Sequence, residues 1–219
     1  MSLRGVIFDV DGTLVDSNDF HARAWVEALG EAGHPVPFER VRRLIGMGGD
    51  KLLPAVTGVG AESEEGKAIA DRRGAIFRER YLPNVRAFEG TRDLVRTLKE
   101  RGLHLAVASS AAEEELAPLL RAAGADDLIE KKTSGDEVES SKPDPDVVTA
   151  ALRKLGCAPH EAVMIGDTPY DIEAARAAGV PCIAFRSGGW GDAALAGAVA
   201  IHDGPLALLH ELETSALVT

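Results

Sequence analysis

A short apolar run, Gly5 to Phe8, followed at once by Asp9-Val10-Asp11-Gly12-Thr13, limits what this chain can fold into more than any other feature. A run of this length and character reads as a buried strand. In an extended chain residues i and i+2 point to the same side. Asp9 and Asp11 therefore converge just beyond a strand end, where open α/β sheets place their ligands. Gly12 lets the backbone turn sharply, because glycine tolerates positive φ. Two carboxylates this close do not comfortably ionise together without a cation. The pair points to a nucleophile or ligand, a second acid/base group and a bound divalent metal. An ordinary Asp-Gly turn after a strand is the plain structural account of the same residues.

Beyond Phe88 the pattern becomes an alternation of helix and strand. Helical spacing covers Thr91–Arg101, Glu113–Ala123, Pro145–Leu155, Tyr170–Ala178 and Leu206–Leu212, four of these segments being closed by Gly102, Gly124, Gly156 and Gly179. Strands are expected at 103–108, at Leu128-Ile129, at 162–165, at 180–185 and at 198–201. Such alternation implies a parallel sheet with helices on both faces, the α/β class. No strand-like alternation falls between Asp16 and Pro83. Helices are expected there at 20–29 and 38–45, then from a cap at Asp50 to about Val56, and at 67–82. The expected organisation is an α/β core of residues 1–15 and 86–219 with an all-helical insertion of residues 16–85.

Charge restricts the partners. The 24 Lys+Arg against 35 Asp+Glu leave a net charge of -11, and a nucleic-acid binder needs a basic face. An anionic substrate must be drawn in locally, by a metal, a lysine or helix N-termini. Two cysteines, Cys157 and Cys182, are too few for a disulfide scaffold and read as reduced core or near-core thiols. No apolar run approaches a membrane span. A cytoplasmic protein with no membrane partner is expected, with a monomer as the default state.

Polar residues recur where the strands end. The first strand gives Asp9 and Asp11, the second Ser109 and Ser110, and a later one Asp167, with Asp171 one helical turn on. Lys142 precedes Pro143 in the loop before another helix. Parallel strands put all their C-terminal ends on one side, so these residues can share a pocket. Four aspartates against one lysine call for a hard divalent cation with oxygen ligands, and Mg²⁺ is the abundant choice. With that metal and Lys142 in place the pocket accepts a phosphate dianion, with Ser109 and the N–H groups beside it as further donors. Singly each has a bland account: a helix cap for Ser109, a solvated lysine for Lys142, a first-turn acid for Asp171. Their order and their common position at strand ends set those accounts aside.

Asp9-Val10-Asp11-Gly12-Thr13, Ser109, Lys142-Pro143 and Gly166-Asp167-Thr168-Pro169-Tyr170-Asp171 together resemble the haloacid dehalogenase-like superfamily. The nearest look is to its phosphoglycolate phosphatase and β-phosphoglucomutase-like subfamily, which His21 and Trp25 in the first inserted helix also resemble. The resemblance implies a three-layer Rossmann-like core under a helical cap of the C1 type. It implies that Asp9 attacks phosphorus to give an aspartyl-phosphate, and that Asp11 protonates the leaving oxygen and later activates water. Ser109, Ser110 and Lys142 would hold the phosphoryl group. The Asp9 carboxylate, the Asp11 backbone carbonyl and Asp167 would hold Mg²⁺, with Asp171 supporting the site.

Departures from the pattern narrow the activity. A dehalogenase of that superfamily lacks an acid at the Asp11 position. A phosphonatase needs a cap lysine in the first cap helix, and the insertion has only Lys51 and Lys67. A mutase usually has an arginine after the glycine matching Gly46, where this chain has Gly48-Gly49. The expected function is a Mg²⁺-dependent phosphatase acting on a small phosphorylated metabolite. A sugar-phosphate mutase is the alternative, for which His21 is the best argument, and a non-catalytic scaffold is disfavoured by the intact motifs. The cap should choose the substrate. His21 is a candidate substrate contact, and Arg43, Arg73, Arg78 and Arg80 are candidates for a second anionic group.

Overall fold

The computed structural model describes residues 3–212. In chain order the strands are β1 (Gly5–Phe8), β2 (Val15–Asp16), β3 (Arg86–Ala87), β4 (His104–Ala108), β5 (Lys131–Thr133), β6 (Ala162–Gly166), β7 (Cys182–Phe185) and β8 (Ala200–His202). The helices are α1 (Asn18–Glu31), α2 (Phe38–Arg42), α3 (Gly49–Thr57), α4 (Glu64–Ile76), α5 (Thr91–Glu100), α6 (Glu113–Ala123), α7 (Asp146–Leu155), α8 (Pro169–Ala177), α9 (Asp192–Leu195) and α10 (Pro205–Glu211).

Six strands form one parallel sheet in the order β5-β4-β1-β6-β7-β8. β1 is central: Val6 pairs with Leu105 and Val163, and Phe8 with Val107 and Ile165. Its four residues are all buried, which is why the run is apolar throughout and does not alternate. The side-chain period of two still divides it between two cores. Val6 and Phe8 join Val107, Ile165 and the apolar faces of α5 and α6. Ile7 joins Ala106, Met164 and the apolar faces of α7 and α8 on the opposite side. Three layers result, and every strand of the sheet points its C-terminal end at the same edge.

α1 to α4 all lie between β2 and β3, which pair antiparallel through Val15–Ala87 and Asp16–Arg86. The chain leaves for the helical insertion and returns from it through this one short ribbon. No helix among the described residues is long and apolar enough to cross a membrane. Cys157 and Cys182 are free, Cys182 buried and Cys157 partly so, as expected of reduced thiols.

Three local expectations are corrected. The strand expected at Leu128-Ile129 is instead a turn, in which both N–H groups donate to the Ala125 carbonyl. The edge strand is β5, three residues on and carrying Lys131 and Lys132; charged side chains suit an exposed sheet edge. The helix expected at 67–82 begins at Glu64 and, past Ile76, widens into a π turn, Phe77–Tyr81. That turn keeps both rings against α1, Phe77 stacked on His21 with centroids 3.9 Å apart and Tyr81 on Phe20 at 5.6 Å. The helix expected at 38–45 stops at Arg42, and the Arg43 carbonyl accepts instead from the Tyr170 hydroxyl at 2.7 Å.

Ile7 is wholly buried in the central strand. Ile7→Ala is expected to cost about 2–5 kcal/mol, the range for truncating a core isoleucine, read as a lower denaturant midpoint at unchanged slope.

Candidate active site

The sheet edge gathers its acids around one lysine. Lys142 sits in the loop before α7, after which the Lys142–Pro143 peptide is cis, and its side chain is 1% exposed. Its ammonium donates to Asp9 Oδ1, beyond the end of β1, and to Asp171 Oδ1, in the first turn of α8, at 2.8 Å. The other oxygen of Asp171 accepts from the Asp167 N–H (3.2 Å), the Thr168 N–H (3.0 Å) and the Thr168 hydroxyl (2.7 Å). Both oxygens of Asp171 are therefore engaged. Thr168 in turn caps α8 by accepting from the Asp171 N–H at 3.2 Å, a reciprocal arrangement that locks the turn.

Asp167 lies at the end of β6 and is completely buried. The Thr13 hydroxyl donates to its Oδ1 at 3.0 Å and the Asn18 amide to its Oδ2 at 2.9 Å. Two glycines make room for it. A Cβ on Gly12, whose φ is +78°, would fall 2.2 Å from Asp167 Oδ2, and one on Gly188 would fall 1.9 Å from it. No side chain fits at either place.

Asp9, Asp167 and Asp171 each offer an oxygen, all within 4.8 Å of one another. Three carboxylates against one ammonium leave an excess of negative charge away from water. Burial raises the Asp9 carboxyl to about 7; Lys142 opposes that rise, and Asp171 and Asp11 add to it. Burial, with Asp171 and Asp9, holds Asp167 well above the usual carboxylate range. Lys142 is held above its ordinary value: burial works against its charge, but Asp171 and Asp9 outweigh it. The Asn18 Oδ1 is buried with no hydrogen-bond partner. A hard divalent cation fits this set. It takes carboxylate oxygens, removes the excess charge and keeps waters, for which the orphaned Asn18 oxygen is a ready acceptor.

Asp11 has a separate environment. Its Oδ1 accepts from the Ser17 hydroxyl at 2.5 Å and lies 2.8 Å from His21 Nε2. Burial pushes its carboxyl up, but the His21 charge and hydrogen bond, together with Ser17, more than offset this, and the net effect is downward. Two carboxylates two residues apart thus sit in opposed surroundings, the usual sign of divided acid–base roles.

A cavity of about 50 Å³ opens over Asp9 and Asp11, walled by His21, Trp25 and Arg73 from the insertion and by Ser110, Ala111 and Glu115 from the core. Lys142, Asp167 and Asp171 stand behind Asp9 and do not line it. Ser109, expected as a phosphate contact, is fully buried one residue behind the wall, its Oγ accepting from the Ala111 N–H at 3.0 Å. Ser110 is on the wall, its hydroxyl 3.4 Å from the Gly46 carbonyl.

Among the candidate arginines only Arg73 lines the cavity. Arg43 lines a separate groove with Arg42, Gly188 and Trp190, because α2 ends before it and the following turn faces α8. Arg78 lies in an adjoining cleft, and Arg80 pairs with Glu27 on the outer face at 2.5 Å. Asp50, expected as a helix cap, instead takes the Ser141 hydroxyl, beside Lys142. Ser17 and Asn18 were legible in sequence only as helix-capping residues. Ser17 makes no cap hydrogen bond; both side chains turn to catalytic-edge carboxylates. The one signal of this was their place directly after the aspartate pair.

Residues 6–185 match the family described as haloacid dehalogenase-like hydrolase. The chain belongs to the haloacid dehalogenase-like hydrolase family. A phosphoglycolate phosphatase from Thiobacillus denitrificans is 33% identical over 192 residues, 84% of this chain and 85% of that protein. The crystal structure of a hydrolase from Pseudomonas syringae superposes with a TM-score of 0.89 at 32% identity, covering 96% of this chain and 98% of its own. CbbY from Rhodobacter sphaeroides, solved in complex with phosphate, superposes at 0.78 with 27% identity, over 94% and 96%. These likenesses extend across the six-stranded sheet and the insertion alike.

Gly188→Ala is expected to displace Asp167. A 1 Å misplacement at a reacting centre costs about 10²-fold in rate, so turnover should fall by about that much while the far-ultraviolet circular dichroism spectrum stays unchanged.

Proposed function

We propose that this haloacid dehalogenase-like hydrolase is a Mg²⁺-dependent phosphatase of small phosphorylated metabolites, with Asp9 as nucleophile. The observation that carries the reading is the placing of Asp9 on the cavity wall, with Lys142 and two further aspartates behind it and Asp11 beside it in a different electrostatic setting. The kinship with phosphoglycolate phosphatases supports it. Residues 16–85 act as the cap and residues 1–15 and 86–219 as the core. The setting proposed is the reducing cytoplasm, with the protein a monomer.

Asp9 attacks phosphorus, the bond from phosphorus to the ester oxygen breaks, and Asp11 gives that oxygen a proton. Asp11 then takes a proton from the water that attacks the aspartyl-phosphate, and Asp9 is released as carboxylate. One difficult displacement becomes two easier ones. The lowered Asp11 carboxyl suits the second duty. For the first it must carry a proton, and with His21 2.8 Å away the two groups form a pair able to hold one between them. Mg²⁺ bound by Asp9, Asp167 and the Asp11 backbone carbonyl would neutralise charge on the phosphoryl oxygens. Lys142 holds the Asp9 carboxylate in place and adds positive charge behind it, and Ser110 stands on the wall of the cavity that Asp9 borders. Asp171 is a positioning residue, since both its oxygens are committed to Lys142 and the α8 turn.

A panel of phosphorylated metabolites assayed with and without Mg²⁺ tests the reading. Phosphate release should require the metal and stop on chelation. Conversion of one sugar phosphate into another without phosphate release would favour the mutase alternative instead. Asp9→Asn should abolish phosphate release, and full turnover by that variant would rule out the covalent route. Asp11→Asn is expected to lose about 10²–10⁴-fold in kcat, the usual worth of a general acid–base group. Lys142→Met should lose about 10²–10³-fold, as when one preorganised electrostatic group is removed.

A further inference from the structure

Lys142 is held from two directions. Its ammonium reaches inward to Asp9 and Asp171. Its backbone is held from the other side, by the insertion. Gly48 and Asp50, at the start of α3, close on Ser141, the residue before the lysine. The Gly48 N–H donates to Ser141 Oγ at 3.0 Å. The Ser141 N–H donates to Asp50 Oδ2 at 3.3 Å, and the Ser141 hydroxyl donates to Asp50 Oδ1. Just past Pro143, Asp144 pairs with Lys51 at 2.7 Å. One turn of α3 therefore grips the chain on both sides of Lys142. The grip is built for close approach. A Cβ on Gly48 would fall 2.4 Å from both Cβ and Oγ of Ser141. The φ of Gly48 is -74°, which any residue adopts, so it is the space and not the backbone that demands glycine there. α3 is itself anchored, with Leu52, Leu53 and Val56 buried in the cluster that contains Trp25.

We infer that Asp50 is a positioning residue for Lys142: the insertion, seated on the core, sets through Ser141 the lysine that holds Asp9. The inference rests on the phosphatase reading above and adds to its machinery a residue that does not touch the reacting groups. Asp50 lines the outer cleft and not the cavity over Asp9, so its route to the reaction runs through another side chain. No side chain caps the start of α3; Asp50 gives up that ordinary role and spends both oxygens on Ser141. Hydrogen bonds to a charged acceptor are the stronger kind, and Ser141 is only 6% exposed. By contrast the Lys51 and Asp144 side chains are 35% and 45% exposed, and an ion pair so placed contributes little. With Asp50 taken away, the acceptor left within reach of the Ser141 hydroxyl is the Lys142 carbonyl, 3.4 Å from it. Turning to it draws on the peptide of the lysine itself. Reacting groups depend on such support for their alignment, and small misplacements are expensive in rate.

The test is a double-variant cycle on kcat and KM for phosphate release, with acetyl phosphate and the fastest ester of the metabolite panel as probes. Asp50→Ala should lower kcat by about tenfold, less than the roughly 10²-fold of a full 1 Å misplacement, because Asp9 and Asp171 still hold the ammonium. KM should stay within about twofold, since the lysine acts on the nucleophile. Asp50→Asn, which keeps one accepting oxygen, should fall between. Lys51→Met, which breaks only the exposed pair of the same turn, should change kcat by less than about twofold. In a Lys142→Met protein, Asp50→Ala should add less than about twofold, because groups that act as one unit are not additive. Gly48→Ala provides a second cycle that leaves the lysine in place: its added methyl displaces Ser141, so its loss should match that of Asp50→Ala and should not compound with it. An undiminished kcat in Asp50→Ala, a loss confined to KM, the same tenfold loss with and without Lys142, or losses that multiply between Gly48→Ala and Asp50→Ala would each overturn the inference. Phosphate release by the wild-type protein would leave the phosphatase reading intact in all four cases. No release from any probe would overturn both.

Discussion

An ammonium sealed between two carboxylates sets the terms for the rest of this molecule. Lys142, almost without solvent contact, bridges Asp9 and Asp171, and Asp167 lies within reach of both aspartates. Away from water such charges are tolerated only when paired and hydrogen-bonded. Every oxygen of Asp171 and Asp167 accordingly has a donor, from Lys142, the Thr168 turn, Thr13 and Asn18. Burial first, and then the remaining negative excess, raises Asp9 and Asp167, and a cation among them would relieve both. The parallel sheet is what makes such a grouping possible. Its order places β1 beside β6 and β4, so the loops after the first and sixth strands meet although more than 150 residues separate them.

The helical insertion is bound to this centre at its root. The first turn of α1 supplies Ser17 and His21 to Asp11 and Asn18 to Asp167. Movement of that helix therefore moves the donors that set the Asp11 carboxyl and the orientation of Asp167. At its far side the insertion meets α6 through Arg73 and Glu115. Between these two attachments lies the cavity, closed by Trp25 and the 45–49 turn. The acids belong to the core, and the insertion contributes His21, Trp25 and Arg73 to the cavity wall. Both attachments are made by side chains that also touch the acids or border the cavity.

Much of the core site was legible because each member has a fixed local context. An apolar strand, an aspartate pair and a glycine are readable without neighbours, as are Lys142-Pro143 and the Gly166–Asp171 segment. The position of the edge strand was not legible, because Leu128 and Ile129 are apolar for a turn's packing while β5 carries lysines. Nor was the choice among arginines. Arg43, Arg73, Arg78 and Arg80 all sit on helical patterns rich in charge, and nothing in spacing says which of them turns inward. Ser17 and Asn18 bear the composition of helix caps, and that ordinary role concealed their part in holding Asp11 and Asp167.

From the sequence alone came the α/β class, the helical insertion and the set of acids with one lysine, because strand and helix periodicity and short-range motifs are local properties of a chain. Tertiary structure alone decided that Asp171 is spent on Lys142 and the α8 turn, that Ser110 and not Ser109 faces the cavity, and that Arg73 enters it while Arg43 does not. Those outcomes depend on which groups are left with a partner once the layers pack, and partnership across more than a hundred residues has no signature in any single segment.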